Sequence, residues 1–375
     1  MNCWPSSQLG VRGCIPAFLF LSQYITSLSR QPIAHALYLK VSIMAADPAQ
    51  SHVAHTIKHA SPLINCRFDP TGKFVFASAQ DSRVWRWNVE GEPVAKEFAG
   101  HESWTNGMAF TSDGATLVTS GYDGRLVWWP AQDDEPKPVR TVEAHSGWVR
   151  SVAVSPDNQL LVSGGNDRLV KLWNMADGSL VREFAGHESH VYSVAFHPDG
   201  QRLLSCDHQM NLFEWNVAGG EPTRKFQAAD LQKYDKTFHA IIGGARDMAI
   251  DAEGKHVAVS GITNVSNAFA GVGNPAIEVF SLETGESVVK HLAKEDVKGC
   301  GWGVAFHPEQ FTIGLSGGGG GGLLFLWKPG EKDEFHKFKL PNTARGMSLA
   351  PDQLTIATAH ADGNLRLTKM AAKAA

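Results

Sequence analysis

Apolar residues in this chain come in short runs, cut off at regular intervals by turn residues. Between Ser151 and Trp173 the runs are SVAV, LLVSGG and LVKLW, with Pro-Asp-Asn and Asn-Asp between them. Runs of this length, rich in Val and Leu and bounded by Gly, Pro, Asn and Asp, read as strands and are too short for helices. A further run follows each set, as in SLVREFAG and EPVAKEFAG. Each set therefore predicts four short strands before the pattern restarts.

The restart is periodic. A separation of 28 residues holds from His59 to Trp87, His101 to Trp129, His145 to Trp173 and His187 to Trp215. Three weaker copies keep an apolar anchor before the turn and a closing strand, with Ile241, Val297 and Leu340 where the histidine stood. The anchors are Phe68, Phe110, Val154, Phe196, Ile250, Phe306 and Leu349, and the closing residues are Trp87, Trp129, Trp173, Trp215, Phe280, Trp327 and Thr368. Anchor and closing residue stand 19 apart in all units except the fifth, at 30, and the sixth, at 21. The fifth unit thus carries an insertion, expected near Thr263 to Asn274. Seven repeats of four strands predict an all-β chain folded as a single seven-bladed propeller.

Units of the form GH…W-[N/D] resemble the WD-repeat β-propeller family over roughly residues 51 to 370. The resemblance implies a hydrogen-bonded set of His, Ser or Thr, Asp and Trp inside each blade. His101, Thr119, Asp123 and Trp129 make one complete set, and His145, Ser163, Asp167 and Trp173 another. The first unit has Ala77 in place of the hydroxyl, the fourth has Gln209 in place of the Asp, and the seventh keeps Thr358 and Asp362 without His or Trp. Such sets look like catalytic triads, but a set that repeats once per blade is scaffold. The last unit lacks a fourth strand of its own, and Ser51 to Lys58 (SHVAHTIK) is expected to supply it and close the ring.

The same resemblance places binding on the face that bears the residues just before the innermost strand and just before the turn Asp. The fifth residues after each repeat His or its equivalent are Ile64, Asn106, Arg150, Tyr192, Arg246, Trp302 and Arg345. The third places add Trp104, Trp148 and His190, and the places before the turn add Tyr122 and His208. Trp, Tyr and Arg dominate interface hot spots, and the blade's internal hydrogen bonds require none of these side chains. Arg150, Arg246 and Arg345 fall in units three, five and seven, read as one side of the ring, and lean toward an acidic or phosphorylated partner. The partner-binding set is therefore Trp104, Asn106, Tyr122, Trp148, Arg150, His190, Tyr192, His208, Arg246, Trp302 and Arg345.

Composition narrows the picture without changing it. The 375 residues carry 34 Lys and Arg against 38 Asp and Glu, a formal charge of −4, which disfavours nucleic acid or an anionic membrane as partner. Five scattered cysteines form no C-x-x-C pair and suggest neither disulfide framework nor zinc ribbon. No cofactor or metal is expected, and the chain reads as a monomer. Gly314 to Gly318 matches G-x-S-x-G, but a nucleophile elbow needs a strand-to-helix turn that an all-β repeat lacks. Gly271-Val-Gly-Asn-Pro-Ala276 has the glycine spacing of a dinucleotide fingerprint, and Pro275 argues for a loop instead. Gly317 to Gly322 reads as a blade turn.

Residues 1–50 stand apart as an N-terminal extension before a propeller of residues 51–375. CIPAFLFL, from Cys14 to Leu21, is apolar but too short to span a membrane. One reading is a disordered or mis-started tail, with Met44 an ordinary start and a cytoplasmic location. The other is a weak signal-like segment within residues 1–36, which would export the protein. The leading functional expectation is a non-catalytic scaffold that binds a protein or peptide through its aromatic and Arg-rich rim. The alternatives are a propeller hydrolase or lyase with its site at the central channel, for which the rim positions read from the sequence offer no Asp or Glu, and a secreted ligand-binding propeller.

Overall fold

A computed structural model describes residues 45–267, 272–319 and 321–373; the readings made for residues 1–44 lie outside them. Among the described residues the strands form seven four-stranded antiparallel sheets and one two-stranded sheet. Blade three shows how sequence becomes structure. Its strands, Val149–Val154, Leu160–Gly165, Val170–Asn174 and Leu180–Phe184, pair in chain order, first strand to fourth. Ser155 and Asp157 fix the first turn: the Ser155 hydroxyl donates to Asp157 at 2.6 Å, and the Asp157 carboxylate accepts from the Gln159 amide at 3.0 Å. Such Asx and Ser turns satisfy backbone donors that the ladder cannot reach.

First strands of neighbouring blades lie side by side around a central channel. The core sits between blades, where the apolar face of one sheet packs on the next. Leu126 and Trp128 of blade two meet Val149, Val152, Leu161 and Trp173 of blade three in one buried cluster. In blade seven the strand Ser51–Lys58 runs antiparallel to Asn364–Met370, with Val53 opposite Thr368 and Lys58 opposite Asn364, so an N-terminal strand forms the outer edge of the blade made otherwise by the C-terminus.

Blade five departs most from the repeat. Its second and third strands, His256–Asn267 and Val272–Ser281, are lengthened into one long hairpin. The stretch Val272 to Ala276, read as a loop, is therefore strand: Pro275 stands opposite Ile262 and Asn274 opposite Thr263. A two-stranded hairpin, Lys233–Asp235 with Ala240–Ile242, precedes blade five and was not foreseen. Lys233 Nζ donates to the Val265 carbonyl at 2.7 Å, which ties the two hairpins together. Ser316 of the G-x-S-x-G match lies buried within the strand Phe311–Gly317.

The buried polar sets hold the blade edges. His145 contacts Asp167 through Nδ1 at 2.8 Å and Ser163 through Nε2 at 2.7 Å, and Trp173 Nε1 donates to the same hydroxyl at 2.8 Å. His101, Asp123, Thr119 and Trp129 repeat this geometry. Gly165 lets the ring approach, since an added Cβ there would meet His145 Nδ1 at 2.5 Å. Two expectations are corrected. In blade four Asp207, not the Gln209 position, completes the set: it contacts His187 Nδ1 at 3.0 Å while Ser205 serves Nε2 and Trp215. In blade seven a histidine is present after all, contributed by the strand itself: His360 contacts Thr358 Oγ1 at 2.8 Å and the Asn342 carbonyl at 3.0 Å.

Candidate interaction site

One backbone irregularity, repeated around the ring, builds the site. Pairing between first and second strands shifts register between Leu63 and Asn65, Thr105 and Gly107, Val149 and Ser151, Val191 and Ser193, Gly301 and Gly303, and Ala344 and Gly346. The residue skipped at each shift is Ile64, Asn106, Arg150, Tyr192, Trp302 or Arg345. A bulged residue is released from the ladder and its side chain is re-aimed. Here the release turns those side chains toward the mouth of the channel, joined by Arg246, which directly precedes the first strand of blade five.

The mouth is a cavity of about 190 Å³ lined by Trp104, Asn106, Tyr122, Arg150, Tyr192, Arg246, Trp302 and Arg345, among others. Of the sequence-derived set, Trp148 and His208 join it by ring contact. Tyr122 stacks flat on Trp148 at 4.1 Å between centroids, and Trp104 lies 6.4 Å from Tyr122. The Arg150 guanidinium sits 4.6 Å from Trp148 and 4.4 Å from Tyr192, and His208 stacks on Tyr192 at 5.2 Å. Arg246 lies between Tyr192 and Trp302, at 5.5 and 5.1 Å. The result is an alternating band of rings and guanidiniums, an arrangement favoured by the negative faces of aromatic rings. Trp104 and Trp148 remain 42% exposed, so the band offers open aromatic surface. His190 alone stands outside: it is exposed, and its carbonyl accepts from the His208 amide.

Arg67 of blade one also lines the mouth, and sequence reasoning missed it. With it, the guanidiniums fall in blades one, three, five and seven and encircle the mouth instead of gathering on one side. Among the described residues no carboxylate lies within ion-pair distance of Arg67, Arg150, Arg246 or Arg345, and buried Arg246 Nε has no hydrogen-bond partner. A slightly acidic protein thus concentrates unpaired positive charge at one opening, where it attracts anions over about a Debye length.

The mouth does hold one acid, contrary to the expectation of none. Asp247 lines both the mouth and the deeper channel cavity of about 490 Å³. Protein closes around its carboxyl, and the lost hydration pushes its pKa up to about 6 against the opposing pull of the Val304 amide and the Arg67 charge. Both oxygens are engaged: Oδ2 accepts from the Val304 amide and Oδ1 from the Met248 amide, each at 3.0 Å. Position explains the role. Ser151 accepts from the Val194 amide, Ser193 donates to the Ala245 carbonyl, and Ser348 accepts from the Phe68 amide, so each ties one innermost strand to a neighbour. Asp247 is the acidic member of this belt, joining blade five to blade six. Its place directly after the bulge series is the sequence signal that could have revealed it.

Seven four-stranded blades make the chain a β-propeller, and the His-Ser/Thr-Asp-Trp sets mark WD repeats within it. The family model for the WD domain, G-beta repeat, matches residues 91–130, 136–174 and 178–216. Over 96 residues, 26% of this chain, the sequence is 25% identical to an uncharacterized WD repeat-containing protein of Schizosaccharomyces pombe. Over 71 residues it is 28% identical to apoptotic protease-activating factor 1 of Homo sapiens. The matched stretches span 24% of the yeast protein and 6% of the human one. Propellers of this repeat type are typically non-catalytic, and repeat and fold together support a protein-interaction scaffold.

Proposed function

We propose that this propeller binds a protein or peptide partner of acidic character at the channel mouth, with Trp104, Tyr122, Trp148, Tyr192 and Trp302 as the apolar anchors. Arg67, Arg150, Arg246 and Arg345 pair with the partner's carboxylate or phosphate groups. The observation that carries the reading is their lack of carboxylate partners, with Arg150 and Arg246 also standing against aromatic faces. A guanidinium held flat on a ring keeps its edge free, and that edge pairs bidentately with planar anions. The scaffold reading is favoured over a channel hydrolase because the two acids lining the channel, Asp247 and Asp69, already spend both oxygens on backbone amides.

The test uses the full chain as bait and compares wild type with Trp148→Ala and Arg150→Ala. A partner captured by wild type is then measured against all three proteins. Truncating a buried interface Trp or Arg commonly costs ~2 kcal/mol or more, mostly as faster dissociation. Binding should also weaken as salt rises. If both variants fold and bind as tightly as wild type, the mouth is not the site.

A further inference from the structure

On the face opposite the mouth, one blade junction breaks a rule that those before it obey. In blades one to four, the residue of the fourth strand that pairs just before the closing Trp is Lys96, Arg140, Arg182 and Arg224. Each reaches across its junction to the turn between the third and fourth strands of the following blade. Lys96 stands 3.4 Å from Asp134 there, beside Arg86, which donates to the Ala131 carbonyl at 2.7 Å. Arg140 and Arg224 lie against Gly178 and Gly285, where an added Cβ would meet their Cδ atoms at 2.5 and 3.1 Å. Arg224 also donates to the Leu282 carbonyl at 2.5 Å, and Arg182 Nη1 lies 3.8 Å from the Cβ position of Gly220. The aliphatic stem of each strap covers apolar surface while its charged end reaches the next blade.

Blade five places Val289 in that register, opposite Val279. Gly330, in the corresponding turn of blade six, has nothing within 4 Å of its Cβ position. Where the strap would lie there is a cleft of about 440 Å³, walled by Val279, Val288, Val289, Phe306, Phe311 and Pro329. Its volume is in the range that holds a ligand or a buried side chain. Val288 at its lip is 49% exposed. The charged groups at the cleft are Asp251, Glu253, Lys255 and His256. Asp251 contacts His256 at 2.8 Å, and Lys255 pairs with Glu253. Two carboxylates against one lysine leave the lip acidic when His256 is neutral.

We propose that this cleft docks a basic, partly apolar segment of a partner protein, whose arginine or lysine side chain takes the place that Val289 leaves vacant. An apolar wall ending at carboxylates suits the stem and head of such a side chain, as Lys96 beside Asp134 shows within the chain. The opposite sign of charge separates this site from the mouth, and neither proposal depends on the other.

The experiment titrates the full chain with acetyl-Leu-Arg-Leu-amide and acetyl-Leu-Glu-Leu-amide, and follows the imidazole resonances of His256 and His307, which line the cleft. The arginine peptide should shift both resonances and bind about tenfold tighter than the glutamate peptide, a difference of 1.4 kcal/mol. Val289→Arg, which restores the strap, should abolish that binding, and Glu253→Lys should weaken it at least about twofold. Trp148→Ala should leave it unchanged, so a failed mouth and a failed cleft are told apart. Equal binding of the two peptides overturns the proposal, as does a folded Val289→Arg protein that binds like wild type. Concentration-dependent self-association that Val289→Arg removes also overturns it, by giving the cleft to a second copy of the chain. Should Val289→Arg not fold, undiminished binding by Glu253→Lys overturns it alone.

Discussion

Replacing Asp247 by Asn should stabilise the ring at alkaline pH and not at acid pH. The native carboxyl titrates at about 6, against an ordinary value near 3.9 in the unfolded chain. An acid whose folded pKa is raised binds its proton more tightly when folded. Between those two values the native state therefore holds the extra proton, and stability falls as pH rises through the window. About two pKa units correspond to at most about 3 kcal/mol, lost in full above roughly pH 7. Asn cannot ionise and keeps an acceptor for the Val304 amide, so it escapes this loss. For a ring of this size 1 kcal/mol moves the melting temperature by roughly 2 °C, which puts the variant about 5 °C above wild type at pH 8 and no higher at pH 4. Thermal melts of both proteins across that range provide the assay, and the difference between them cancels every other titrating group. Arg67→Ala should widen the gap, because the Arg67 charge lowers the Asp247 pKa. A gap that does not change with pH would refute the desolvation argument and leave Asp247 a strut indifferent to its charge.

Asp167→Ala and Asp207→Ala should each cost roughly 1–3 kcal/mol in urea unfolding, since each strands a buried histidine and backbone donors, whereas Gln209→Ala should cost under about 0.5 kcal/mol. Burial works to raise the Asp123, Asp167 and Asp207 carboxyls, but hydrogen bonds and the facing histidines outweigh it and hold all three below the ordinary value. Their contribution is complete above about pH 4 and is lost as pH falls through the lower native values, so wild type should melt progressively earlier in acid and Asp167→Ala should show a shallower decline. Deleting residues 1–43 should leave the melting curve unchanged, whereas deleting 1–58 removes the partner strand of Asn364–Met370 and with it buried Ile57, worth about 2 kcal/mol or more; equal losses would refute a closing role for that strand.

Most of the architecture was legible because one spacing is rigid. A histidine at the blade entry and a tryptophan on the third strand meet at one hydroxyl, so residues between them can be neither added nor lost without breaking the hydrogen bonds. That constraint acts in blades two, three and four, and the same 28-residue separation persists in blade one, where Ala77 replaces the hydroxyl and His59 contacts Asp81. Asp207 was misplaced for the converse reason. In blades two and three the acid sits in the turn, 22 residues after the histidine, whereas in blade four the last residue of the second strand, 20 residues after it, serves instead. The mouth was legible in part, since a bulge occurs at a constant offset from the histidine and its residue type can be read directly. Arg67 and Asp247 were missed because they lie deeper on the innermost strands, beyond the bulge, where composition alone does not separate a channel wall from a core.

The cation at the blade junction shows what a repeat adds to such reading. VAKEF, LVREF and PTRKF present Lys96, Arg182 and Arg224 in one register, and ESVVKHL then offers a valine beside a lysine. On sequence alone Lys290 could be slid into the strap position. Strand pairing forbids it: Lys290 stands opposite Glu278 and turns to Asp230, while Val289 faces the junction. Since successive residues of a strand point to opposite sides, a shift of one exchanges a filled junction for an open cleft. A propeller needs every junction packed, because each blade buries its apolar face only against its neighbours. Four junctions show that a long cation completes that packing from within the chain. The fifth leaves Val288 exposed and Gly330 uncovered among the described residues, so its apolar surface gains by burial under a partner segment.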